Sequence, residues 1–118
     1  MLKLEGFSGI YLHREAVDMR KSIDGLCAVV ESEMNHSFTT GSLFVFINSK
    51  RDKLKMLYFD RTGFAILYKR LEREKFQWPR KLEEEVISVD SQKLSMLLEG
   101  IDVWRIRPHA TLHIEKTF

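Results

Sequence analysis

The residues with the clearest chemical potential in this sequence are cations. Residues 49–81 carry eleven of them against four carboxylates, a local charge of +7. A polyanion answers to local cation density, because each neutralised phosphate releases condensed counterions. Nucleic acid is therefore the partner class that this segment suits. Residues 82–102 reverse the sign with six acids and one lysine, net −5, so a second arrangement has the two blocks neutralising each other on a solvated face. The net +2 of the 118-residue chain conceals both blocks.

Other chemistry is weaker. Asp18, Asp24, Asp52 and Asp60 are the carboxylates from which a two-metal nuclease site would be built. Three of them also have an ordinary structural reading: Asp18 as a helix cap, Asp52 as a turn residue, Asp60 at the end of a strand. His109 and His113 are four apart but lack a third ligand and follow Pro108. Cys27 sits between Leu26 and Ala28, where a small inert thiol is the ordinary occupant. Asn35-His36-Ser37 matches a glycosylation acceptor without a secretory signal to give it meaning. No phosphate-binding glycine loop, no Gly-x-Ser-x-Gly and no zinc-finger spacing occurs. The sequence thus predicts no catalytic residue, no cofactor and no metal. Aromatics in the basic region could stack on bases; Phe59, Phe64 and Tyr68 sit at core spacing, which leaves Trp78 the aromatic least tied to a core.

These residues need elements to hold them. At 118 residues, with 44% apolar and 11% aromatic residues, the chain predicts one compact domain. Ile10-Tyr11-Leu12 is β-prone, and Met19, Ile23, Leu26 and Val30 recur at helical steps after Asp18. Gly25 inside that helix points to a close approach or a weak spot. The runs Leu43-Phe44-Val45-Phe46-Ile47 and Leu54-Lys55-Met56-Leu57-Tyr58-Phe59, joined by polar turn residues, predict an antiparallel hairpin with charges at its tip. Beyond the Asp60-Arg61-Thr62-Gly63 turn, Phe64, Leu67, Tyr68 and Leu71 fall at i, i+3, i+4 and i+7, which predicts a helix exposing Lys69, Arg70 and Arg73. Short strands are expected at Phe76-Gln77-Trp78-Pro79 and Val86-Ile87-Ser88-Val89. A helix follows, capped by Asp90 or Ser91 and ended by Gly100, and a final edge strand is expected at residues 103–107. The expected fold is α+β: an antiparallel sheet around a central hairpin with about three helices, residues 1–105 forming the domain and 106–118 a tail.

The run Ala16-Val17-Asp18-Met19-Arg20-Lys21-Ser22-Ile23-Asp24-Gly25-Leu26 resembles the opening motif of the TnpB-type accessory proteins of bacterial insertion-sequence-sixty-six elements. The resemblance continues through Leu43-Phe44-Val45-Phe46-Ile47-Asn48, residues 51–60, Gly63-Phe64, Tyr68-Lys69-Arg70-Leu71-Glu72 and Phe76-Gln77-Trp78-Pro79, and fades after residues 97–101. Several long motifs in order are far more specific than one short pattern. These proteins are distinct from the RNA-guided nucleases that share the name. The resemblance implies a small second reading frame of the element, acting beside a separately encoded, larger transposase that holds the catalytic acids. Glu74 stands where a glycine is common in that pattern, which would let the preceding helix run on.

Exposed cations contribute little to folding, so the expected nucleic-acid-binding set is Arg20, Lys21, Lys50, Arg51, Lys53, Lys55, Lys69, Arg70 and Arg73. The reading is a non-catalytic accessory protein for DNA transposition, in the cytoplasm, with DNA and the transposase as partners, a homo-oligomer possible and no membrane. Two alternatives stay open: a protein-interaction subunit docking to the transposase or to itself, and a small metal-dependent nuclease.

Overall fold

Apolar residues on both faces of the central strands decide the architecture, because such strands must be covered on both sides. In the computed structural model, which describes residues 3–34, 41–79 and 84–105, five strands form one sheet. They are β1 (Gly9–His13), β2 (Ser42–Ile47), β3 (Lys53–Asp60), β4 (Gly63–Arg70) and β5 (Val86–Val89), in the spatial order β4-β3-β2-β1-β5. Helix α1 (Ile23–Glu33) links β1 to β2, and helix α2 (Ser91–Leu98) follows β5. The class is α+β in a single domain. Two expectations are corrected. The sheet is mixed, since α1 acts as a crossover that returns β2 parallel to β1. The described residues hold two α-helices, not about three, with one 3-10 turn at Leu4–Gly6.

The two faces carry separate cores. Phe44, Phe46 and Leu57 point to one side and pack with Leu26, Val29 and Val30 of α1. Leu43, Val45, Ile47, Leu54 and Met56 point to the other and pack with Leu94 and Leu97 of α2. Phe76 and Trp78 close that second core from an irregular segment in which the expected strand does not form. Trp78 is 4% exposed, and its Nε1 donates to the carbonyls of His13 and Arg14 at 3.3 and 3.1 Å. Its expected place as the aromatic least tied to the core is corrected accordingly.

The expected helix over residues 64–71 is strand β4. Asp60 faces Gly63 across a two-residue turn at Arg61-Thr62, and the ladder continues to Lys53 opposite Arg70. Arg61 takes the left-handed backbone that so tight a turn demands, at φ 45°. The run Phe64-Ala65-Ile66-Leu67-Tyr68 satisfies the helical spacing and a two-faced strand equally well. The short turn and the unpaired side of β3 select the strand. With no helix there, Glu74 has none to prolong.

Asp18 is not a helix cap. Helix α1 starts after Ser22, which makes no side-chain cap, and Asp18 bonds Arg20 instead. Gly25 admits no foreign backbone; a Cβ there would meet the aliphatic stem of Lys21 at 3.2 Å. Asp90 does cap α2, accepting from the Lys93 backbone at 2.7 Å, and Gly100 follows with φ +85°. Residues 103–105 form no strand: Val103 is buried and Trp104 Nε1 donates to the Gln77 carbonyl at 2.6 Å. Residues 106–118, with the expected tail, His109 and His113, lie outside the described residues.

Phe46 is fully buried while Phe59 is 40% exposed. Phe46→Ala therefore lowers the unfolding free energy by about 3–5 kcal/mol, and Phe59→Ala by less than about 1 kcal/mol, as read from urea midpoints at unchanged slope.

Candidate nucleic-acid interface

Register decides where each cation points, since directly paired residues share a face of the sheet. Lys53 pairs with Arg70 and Lys55 with Tyr68, and these four lie on the α1 side with Leu57 and Ile66. Beyond the end of α1 that face is open. Residues 17–21, which lead into the helix, run alongside it, and the turn 48–53 closes one end. Together they enclose an open cleft of about 810 Å³ lined by Val17, Asp18, Met19, Arg20, Asn48, Ser49, Lys50, Lys53, Lys55 and Tyr68. Four of the expected cations, Arg20, Lys50, Lys53 and Lys55, meet there against one carboxylate.

Lys55 builds the cleft as well as lining it. Its ammonium donates to the carbonyls of Met19 and Lys21 at 2.7 and 2.8 Å, which fixes residues 19–21 to β3. The turn is equally determined. Asn48 Oδ1 accepts from the backbone N–H of Asp52 and Lys53 at 3.1 and 3.0 Å, and its amide donates to Asp52 Oδ1 at 2.7 Å. Asn48 and the basic residues around it hold the Asp52 carboxyl below its ordinary range, the Asn48 bond first among the causes. Lys50 is exposed at the turn, and neither it nor Lys53 forms an ion pair among the described residues.

Arg20 within the cleft is itself engaged, and the other expected cations lie beside the cleft or elsewhere. Arg20 grips Asp18 at 2.6 Å and is itself exposed. Lys21 is exposed beside the cleft, its stem against Gly25. Arg70 lies next to Lys53 and pairs with Glu72 at 2.8 Å. Arg51 takes φ 63°, accepts from the Phe76 backbone at 2.7 Å, and is partly buried outside the cleft. One of its guanidinium nitrogens is buried without a hydrogen-bond partner among the described residues. Lys69 points to the opposite face, where its ammonium donates to the Leu98 carbonyl at the end of α2, at 2.8 Å. Arg73 is exposed beyond the end of β4. A helix would have gathered Lys69, Arg70 and Arg73; the strand puts Lys69 and Arg70 on opposite sides.

Sequence reasoning missed Tyr68 and Asn48. Tyr68, expected in the core, is 50% exposed and lines the cleft, and Phe59, also expected there, is exposed too. Strand alternation was the signal that would have placed Tyr68 beside Lys55. For Asn48 the signal was an Asn four residues before an Asp in a turn. Of the acidic segment, Glu84 and Glu85 precede β5, at the sheet edge opposite β4, about 19 Å across four strand spacings, while the end of α2 returns to the basic strand, where Lys69 donates to the Leu98 carbonyl. Both give their carbonyls to Arg14, and no ion pair among the described residues joins residues 84–102 to the cations of residues 50–75.

The carboxylates considered for a nuclease do not converge. Among the described residues no group of three or more His, Cys, Asp or Glu is placed to hold a metal. Burial, then Asp24 and Glu31, push the Cys27 thiol up, away from its reactive form. No helix of the described residues is long and apolar enough to cross a membrane.

The family described as "IS66 Orf2 like protein" matches residues 8–108, which contain every element of the sheet and both helices. This chain belongs to that family. An IS66 Orf2-like chain has an accessory role in transposition. Two similar proteins come from Sinorhizobium fredii strain NGR234. The uncharacterized protein y4jC is 30% identical over 98 residues, covering 83% of each chain. The uncharacterized protein y4hO is 36% identical over 88 residues, covering 75% of each chain. No solved structure matches.

The Arg20 bonds hold the Asp18 carboxyl at about 2. Because the folded-state value is depressed, the Asp18–Arg20 pair is intact above the ordinary carboxylate range and breaks as pH falls through about 2. Carbon NMR of the Asp18 carboxyl is expected to show that low midpoint, and Arg20→Ala to raise it toward the ordinary carboxylate range without reaching it, because the backbone N–H of residue 20 still donates to Oδ1 and Lys21 stays nearby.

Proposed function

We propose that this IS66 Orf2-like chain is a non-catalytic accessory protein of transposition that binds nucleic acid in the cleft between residues 17–21, the 48–53 turn and the β3–β4 face. The observation that carries this reading is the gathering of Arg20, Lys50, Lys53 and Lys55 around one open cleft, with Glu84 and Glu85 at the far edge of the sheet and α2 on its opposite face. Lys50 and Lys53 act as point charges on phosphates, while Arg20, Lys21 and Arg70 extend the positive strip on either side. Lys55, with two donors already on carbonyls, shapes the site and adds its charge to the field.

Binding of this kind reads the backbone and not the bases, so affinity is largely independent of sequence and falls steeply with salt. The exposed face of Tyr68 gives the cleft one surface on which an unpaired base can stack. The same cations suit an acidic patch on the transposase. Nuclease-treated pull-down with the element's transposase separates that partner from bridging DNA.

The direct test is a fluorescence-anisotropy titration of a labelled duplex at several salt concentrations. Lys50→Ala/Lys53→Ala stays folded, weakens binding to all sequences alike, and makes the log–log salt slope shallower by about 1.8, which is about 0.9 for each phosphate left without its lysine. Unchanged affinity and slope in the double variant would remove the cleft as the binding surface.

A further inference from the structure

Strand β4 ends the sheet on one side, and among the described residues no strand covers it. An open edge is a template for another strand, and proteins ordinarily blunt it with proline, a bulge, an inward charge or short length. β4 has none of these from Gly63 to Tyr68. It is eight residues long, its register with β3 is unbroken, and Phe64-Ala65-Ile66-Leu67-Tyr68 carries no charge and no proline. Among the described residues, three of the four exposed large hydrophobics, Phe59, Leu67 and Tyr68, lie on this hairpin.

The direction of the backbone narrows the occupant. The Leu71 N–H donates inward to the Asp52 carbonyl at 2.8 Å, so alternation along the ladder turns the N–H and C=O of Ile66 and Tyr68 outward. We propose that β4 pairs antiparallel with β4 of a second copy of this chain, about a two-fold axis through Ile66. That register sets Ile66 against Ile66, Ala65 against Leu67, and Phe64, already edge-on to Phe59 at 5.1 Å, against Tyr68. Apolar residues meet apolar residues along the whole pairing. The cations fall at its two ends, Lys69 opposite Gly63 and Arg70 opposite Thr62 of the other copy. A parallel pairing would set the basic ends side by side, which like charges oppose. The axis stands normal to the sheet, so the pair forms one ten-stranded sheet with both clefts on the same face. Only the usefulness of that last feature depends on the nucleic-acid reading; the pairing itself does not.

The test is light scattering coupled to size-exclusion chromatography, with a crosslink to fix the register. The wild-type chain is expected at twice 13.9 kDa. Ile66→Pro, which removes an N–H not used by β3, is expected at the single mass. In a Cys27→Ser background, Ala65→Cys/Leu67→Cys joins two chains on oxidation, because these positions form a non-hydrogen-bonded pair about 4.5 Å apart. A wild-type chain at the single mass overturns the proposal, and so does a dimer that Ile66→Pro leaves intact. Should Ile66→Pro fail to fold, the crosslink decides alone: a covalent dimer supports this register, and its absence overturns it.

Discussion

One ammonium group holds the candidate site together. Lys55 leaves β3 on the α1 face and caps the carbonyls of Met19 and Lys21, so residues that precede the helix are tied to a strand more than thirty positions later. Hydrogen bonds from a charged donor are the strong ones, and two of them on nearby carbonyls fix a segment that has no secondary structure of its own. A backbone bond from Val17 to the Ile47 carbonyl at 2.8 Å anchors the start of that segment, and the Lys55 tether fixes its far end, Arg20 included, against the cleft. A residue that reads as one more surface cation is in this protein the post on which the others are arranged.

The order of the strands supplies the second constraint. Basic and acidic blocks adjacent in sequence look ready to cancel, and a direct β4–β5 pairing would have allowed it. The order β4-β3-β2-β1-β5 places Glu84 and Glu85 at the edge opposite β4, while α2, flanked by Asp90 and Glu99, lies on the face away from the cleft. Crossing the sheet requires residues 71–79 to bury Phe76 and Trp78 over the α2-side core. Those aromatics therefore fix the path along which the chain leaves the β4 edge for the β5 edge.

Much of this was legible in the residues. The central hairpin, its Asn48–Asp52 turn, the strand at Val86–Val89, the Asp90 cap and the Gly100 terminus all follow from local chemistry, and the structure has each of them. What failed did so where two local patterns fit equally or where a long-range partner decided. Phe64 to Leu71 satisfies both helical and strand periodicity, and only the tight turn before it and the waiting edge of β3 choose. Trp78 carries no local sign of burial, because its hydrogen-bond acceptors lie in residues 13 and 14. The error over β4 also misplaced chemistry, since a strand separates Lys69 from Arg70 and exposes Tyr68, and a helix would have done the opposite.

The proposed role of the cleft requires that nucleic acid contact residues 17–21 and 48–53. Nitrogen-15 NMR mapping with a short DNA oligonucleotide tests this most directly. Shifts concentrated at Arg20, Lys21, Ser49, Lys50, Lys53 and Tyr68, with β5 and α2 unmoved, are the predicted result. Shifts centred on β5 or α2, or none under conditions where the oligonucleotide is bound by other proteins of the element, would contradict it.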